Sequence, residues 1–473
     1  MPKTRKFADL FVRKEVNTDM FNKTGLDKTL TAFSLTTMGV GAIVGAGIFI
    51  TPGIIAASYS GPGVWLSYLV AAVVCSLAAL CYSEFSSTIP LAGSAYTYIY
   101  AVFGELIAWI LGWALISEYL FAVSSVAVSW SAYFQNILAG FNIHLPEIFR
   151  AAYGTAGSPH ALFDLPAFLI TMIIAYLLAQ GVRESARVNA VMVILKISVI
   201  ILFIVVAAFY IRPANYSPML PFGVKGVVRG AAVAFYAYIG FDAVSTASEE
   251  VKNPKRDMPI GIVSSLVVAS VLYILLSVVL VGVVHYTKLN VSDPVAFALH
   301  FIHQDWVAGI VSLGAVVGMT TVLIVMLYGG TRLIFAISRD GLLPSALHKL
   351  NPKTHVPTIN TWVLGFIASV FAGVIPLAKI AELVNIGTLF AFAMVSLGVV
   401  FLRKDRRFRD LPKSFEVPLY PFIPIVSFLA CVYLMLQLAS FTWMMFGIWL
   451  IIGLVVYFSY GYSHSHARQN EEN

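Results

Sequence analysis

Apolar runs of about 20 residues, long enough to cross the hydrocarbon core of a bilayer, alternate along this chain with short polar connections. They predict twelve helical spans, near 32–57, 62–86, 104–134, 165–182, 188–211, 229–249, 258–286, 307–337, 359–376, 380–402, 419–438 and 441–462. Two of these runs are interrupted by glycine. Residues 37–52, TMGVGAIVGAGIFITP, carry Gly39, Gly41, Gly45 and Gly47 and no charge. Glycine takes positive φ freely and costs about 1 kcal/mol against alanine inside a helix. In lipid, a freed N–H or C=O is costly unless it finds a partner. The stretch is therefore either a close helix contact, for which Gly41-xxx-Gly45 has the small-xxx-small spacing, or a break that offers bare backbone to a ligand. Residues 235–245, FYAYIGFDAVS, repeat the pattern, with Gly240 followed by the carboxylate Asp242. A pair of glycine-broken spans at matching places in two halves points to the midplane site of a secondary transporter.

Charge decides the orientation. An even number of spans puts both termini on one side. Residues 1–30 and the connections on that side hold twenty-three of the thirty Lys and Arg residues, the opposite side holds six, and Lys196 stands alone in mid-span. Cationic loops stay in the cytoplasm, so both termini are expected there, with the first span acting as an uncleaved anchor behind a basic N-terminal tail. The basic loop between the last two pairs of spans, RKDRRFRDLPKSFEVPLYP, fits topology and contact with lipid headgroups. Composition agrees with a membrane protein: 59% of the chain is hydrophobic and 11% charged, against about 25% charged in soluble domains. The net charge of +7 thus reads as orientation and not as nucleic-acid binding. Cys75, Cys81 and Cys431 all fall in apolar runs without paired spacing, as reduced, buried hydrophobes do. There is no GxxxxGK(S/T) loop, no HExxH and no metal-ligand cluster, so neither an enzyme nor a cofactor is expected, and His464 and His466 read as part of a solvated tail.

GAIVGAGIF at 41–49, the lysine of NAVMVILK (Lys196) and FYAYIGFDAVSTASEEVKNPKRDMP at 235–259 resemble the amino acid–polyamine–organocation superfamily, and within it the cationic amino acid transporter branch. The resemblance runs from about residue 26 to about residue 457. Together with the two broken spans it implies an all-α integral membrane fold of twelve transmembrane helices. Spans 1–5 (31–211) and 6–10 (228–404) would form a 5+5 inverted repeat, with helices 1 and 6 broken. Residues 1–30 would be a cytoplasmic tail, and 405–473 the basic loop, two peripheral helices and the C-terminal tail. It also implies site residues. The amides of Ile43, Gly45 and Ala46 would take a substrate carboxylate, although many relatives have threonine where this chain has Ala46. The carbonyls of Tyr236, Ala237 and Ile239 would take the α-ammonium, with Tyr236 as an aromatic lid. Met326 would border the side-chain end, and its flexible apolar side chain would suit small neutral substrates.

Ionisable groups deep in a span are expensive and usually functional. Three qualify: Glu118, Lys196 and Asp242. Burial disfavours the ammonium of Lys196, so a lysine there can lose and regain a proton through a cycle; the plainer alternative is a permanently charged lysine pinning two helices. Its expected partners, by the resemblance, are the Gly41 carbonyl and the Thr321 hydroxyl. Asp242 either relays a proton or caps freed N–H groups of its own span. Glu118 is either a coupling group or a protonated carboxyl at a helix contact. Glu249 and Glu250, near Lys252 and Arg256, read as salt bridges at an interface or gate. The function expected is proton-coupled import of an L-amino acid across the plasma membrane by alternating access, with substrate, proton and bilayer lipids as partners. The alternatives are an exchanger without net proton movement and a non-translocating amino-acid sensor; a channel is disfavoured because no charged ring or repeated filter is visible.

Overall fold

The computed structural model describes residues 10–14, 30–89, 94–155, 158–181, 186–246, 251–354, 356–408 and 415–468, and every regular element among them is helical. The one β feature is an isolated bridge between Leu30 and Val251. The first apolar run is divided into α1 (Ala32–Ile43), α2 (Ala46–Phe49) and α3 (Thr51–Ile55). Then follow α4 (Val64–Thr88), α5 (Ser94–Phe103), α6 (Glu105–Gly140), α7 (Leu165–Ala179) and α8 (Ala186–Ala208). The second broken run gives α9 (Gly223–Ala234), a 3₁₀ turn over Phe235–Tyr238, and α10 (Phe241–Thr246). The remainder is α11 (Pro254–Val283), α12 (Pro294–Phe301), α13 (Asp305–Arg339), α14 (Thr358–Val374), α15 (Leu377–Lys404), α16 (Phe422–Leu436), α17 (Ser440–Val456) and the short α18 (Tyr462–His464).

Seven stretches of the described residues are long and apolar enough to cross a membrane, and four shorter apolar helices accompany them. Helix α8 shows which solvent they meet. Val191, Ile194, Leu195, Ile201 and Val205 on one face are 41–61% exposed, whereas Lys196 on the other is fully buried. A water-soluble helix would reverse that arrangement; a lipid-facing one requires it. The chain is a membrane protein.

The long helices α6 and α13 pack on each other, and α6 also packs on α15. Helix α1 lies against α8, α10 and α11, while α4 lies against α9 and α11. Caps and prolines set several starts. Asp164 accepts from the Ala167 N–H at the start of α7, and Pro254 opens α11. Span edges differ from the sequence reading at α6, which runs to Gly140 rather than ending near 134. Its polar last turns are satisfied within the protein: Gln135 donates to Ser131, and Asn136 donates to Asp293 at 2.7 Å. On the side of the tails, helix ends are tied by ion pairs. Arg403 meets Glu84 at 2.7 Å and Lys14 meets Asp340 at 2.8 Å. Arg468 pairs with the fully buried Glu105, which also accepts from Tyr100 and Tyr457.

Candidate functional site

The two breaks meet. Helix α1 closes with the Val44 N–H bonded back to the Val40 carbonyl at 2.8 Å. Val44 and Gly45 then leave the helical region, and α2 restarts at Ala46 without a side-chain cap. The N–H groups of Gly45, Ala46 and Gly47 consequently have no partner within the helix. In the second run, Ile239 is extended and Gly240 takes φ +120° before α10 begins. A Cβ on Gly47 would stand 2.5 Å from the Ala237 Cα, and one on Gly240 would stand 2.9 Å from the Ala42 carbonyl carbon. The glycines thus let two unwound backbones cross in contact. Tyr273 of α11 fastens the crossing: its hydroxyl lies 2.8 Å from the Ile43 carbonyl and 2.7 Å from the Ala237 carbonyl. One proton is shared between two carbonyls, one from each broken helix.

A cavity opens beside this crossing. Its walls are Ala46, Ile50, Thr51, Ile54 and Tyr59 of the first run, Ser129 of α6, Val233 and Tyr236 of the second run, and Leu377, Ala378, Ala381 and Glu382 of α15. The Tyr236 hydroxyl donates to Ser125 at 2.7 Å, which holds its ring toward α6. Of the substrate residues expected from sequence, Ala46 and Tyr236 line this cavity. Ile43, Gly45, Ala237 and Ile239 form the backbone of the crossing behind it, and the Ala237 carbonyl already accepts from Tyr273. Met326 is buried in α13 and does not line the cavity. It lies one turn beyond Val322, whose methyl is 3.0 Å from where a Gly45 Cβ would be. Sequence reasoning missed Tyr273, Ser125 and Ser129, and also Glu382, a carboxylate on the cavity wall. The only signal for it was a lone acid near the start of the tenth apolar run.

The titratable groups sit around α1. Lys196 of α8 is fully buried and its ammonium donates to the Gly41 carbonyl at 2.9 Å. Its alkyl stem passes over Gly318 of α13, where a Cβ would come within 2.9 Å of the lysine Cγ. Thr321, one turn on, donates to the Gly318 carbonyl at 2.9 Å. Asp242, in the first turn of α10, and Glu118 of α6 are both buried and lie within electrostatic range of each other. A helix N-terminus favours a carboxylate such as Asp242, whereas Oε2 of Glu118 has no hydrogen-bond partner. Glu249 and Glu250 lie outside the described residues. The three cysteines are free and buried, and no group of metal-ligating side chains occurs among the described residues.

A family profile described as amino acid permease matches residues 30–457. Among individual proteins, the chain is 48% identical to the methylthioribose transporter of Bacillus subtilis (strain 168), over 97% of this chain and 99% of that one. It is 50% identical to the branched-chain amino acid permease BcaP of the same organism, over 94% and 95%. Cationic amino acid transporter 1 of Arabidopsis thaliana is 38% identical, over 84% of this chain and 67% of the plant protein.

Proposed function

The chain belongs to the amino acid permease family, and from that premise we propose that it imports L-amino acids across the plasma membrane together with protons, by alternating access. It is a transporter, not an enzyme. The observation that carries the proton coupling is the contact between the Lys196 ammonium and the Gly41 carbonyl, four residues before the break beside the cavity. Protonation of that lysine and the shape of the substrate site are then linked through one turn of α1.

The roles are those the family resemblance implies. The N–H groups of Gly45 and Ala46, with Ile43 just before the break, take the substrate carboxylate. Carbonyls of Tyr236, Ala237 and Ile239 take the α-ammonium, which replaces the Tyr273 hydroxyl at Ala237. Tyr236 closes over the substrate, and Met326, buried in α13 and off the cavity wall in this structure, bounds the side-chain end and favours small neutral groups once the helices move in the transport cycle. Thr321 accepts from Lys196 at its own level of α13. Asp242 and Glu118, a buried carboxylate pair, exchange a proton as α10 moves. The transport unit is a twelve-span fold with a five-helix inverted repeat, two peripheral helices and both termini in the cytoplasm. In its favour, a short helix follows the first long helix of each half: α5 after α4 and α12 after α11.

The relatives' names leave the substrate open between branched-chain and cationic amino acids, with methylthioribose a further candidate. A sugar thioether has neither a carboxylate for the open amides nor an ammonium for the carbonyls, and this favours amino acids. The test is net uptake into liposomes free of internal substrate, driven by an imposed inward proton gradient. Accumulation that collapses when the gradient is dissipated supports symport. Uptake only into vesicles preloaded with amino acid makes the protein an exchanger and overturns it.

A further inference from the structure

We propose that Glu382 sorts substrates by charge in the cavity, favouring an ammonium group and rejecting a second carboxylate. This rests on the reading of the chain as an amino-acid transporter and adds a selectivity residue to it. Glu382 lines the cavity together with Leu377 and Ala381 of its own helix and with Ala46 and Tyr236 of the two broken runs. One of its oxygens accepts from the buried hydroxyl of Thr442, on α17, at 2.6 Å. That bond fixes the carboxylate in place, and Glu382 is in no ion pair among the described residues. Arg229 is exposed on α9 and forms no ion pair with the carboxylate; at the Tyr59 hydroxyl the two act in opposite senses. Lys379, one turn before Glu382 on α15, turns its ammonium to the Phe441 ring at 5.7 Å instead of pairing with the carboxylate.

A fixed, unpaired carboxylate in a cleft with apolar walls exerts a stronger field than it would in water. Every amino acid brings an ammonium past it. A substrate with a cationic side chain gains a second attraction, and one with an acidic side chain meets like charge. Glu382 thus sorts by net charge.

The test is competition for labelled alanine uptake by alanine, lysine and glutamate, in the full-length reconstituted protein and in Glu382→Gln. Glutamine keeps the shape and can still accept from Thr442, so only the charge is lost. Relative to alanine, lysine should compete about tenfold worse and glutamate about tenfold better in the variant. Glu382→Asp should restore the wild-type order. Thr442→Val, which frees the carboxylate, should shift the ranking in the same direction by less, and it decides the matter if the glutamine variant does not fold. An unchanged ranking, or an equal shift for all three competitors, overturns the proposal. Wild type that carries no amino acid at all removes the transport reading itself, whereas normal transport with an unchanged ranking removes only the role of Glu382.

Discussion

Asp164 stands just outside the apolar run of α7 and carries two duties in one carboxylate. It caps the helix by accepting from the Ala167 N–H, and it accepts from Ser131 of α6 at 2.6 Å. Burial pushes its carboxyl from 3.8 up to about 7 against those two donors. Because the folded value lies above the unfolded one, the folded chain holds more protons between the two. The stability from protonated Asp164 is therefore full below about pH 4 and lost as pH rises through about 7. Asn caps helices as well as Asp, so Asp164→Asn should flatten the fall in melting temperature between pH 5 and 8 in detergent. A wild-type curve that the variant merely reproduces would show that Asp164 does not titrate in that window. Single residues were unevenly legible in the sequence. Lys196 stood out because a charge inside an unbroken apolar run has few bland explanations. Tyr273 did not, since a tyrosine in α11 gains its role only from two carbonyls contributed by other segments. Glu382 looked like one more acid near a helix end, and its importance comes from the cavity wall and from Thr442, far away in the chain.

At the level of elements, the account turns on two interrupted helices that cross where each lacks a side chain. Gly47→Ala places a methyl 2.5 Å from the Ala237 Cα, a backbone neighbour that cannot swing aside. Overpacking of this kind costs about 1–3 kcal/mol, and here the strain falls on the Tyr273 fastening and the open amides together. Gly47→Ala is expected to lower the melting temperature by several degrees and to abolish substrate-induced stabilisation, whereas alanine at the uncrowded Gly309 should do neither. Equal behaviour of the two variants would mean that the crossing is not the binding element. Both breaks were readable from glycine spacing; their contact was not, because nothing in the order of residues says which faces meet. The far end of α6 was misread for a related reason. Ser131, Gln135 and Asn136 look like the polar edge of a span, yet each finds a partner inside the protein, so the helix continues.

Across the whole molecule, lipid and protein impose opposite rules on the same helices. Outer faces carry exposed valine, leucine and isoleucine, and the polar groups are turned inward around α1. There Lys196, Gly41 and the break at Val44 and Gly45 form one short path from a buried amine to the cavity beside the crossing. Fold class and family membership were legible from apolar run length and the motifs alone. The arrangement of the helices into two inverted units is proposed on the matching breaks and the matching short helices. Proton coupling through Lys196 is the claim on which the functional account depends. Its most direct test is gradient-driven uptake by wild type and Lys196→Ala in matched liposomes, with binding of the same amino acid read separately by thermal shift. The account predicts that Lys196→Ala loses gradient-driven uptake by about tenfold or more while still binding substrate, and that Lys196→Arg fails as well, because a guanidinium does not give up its proton. Wild-type, pH-dependent accumulation by Lys196→Ala would contradict it.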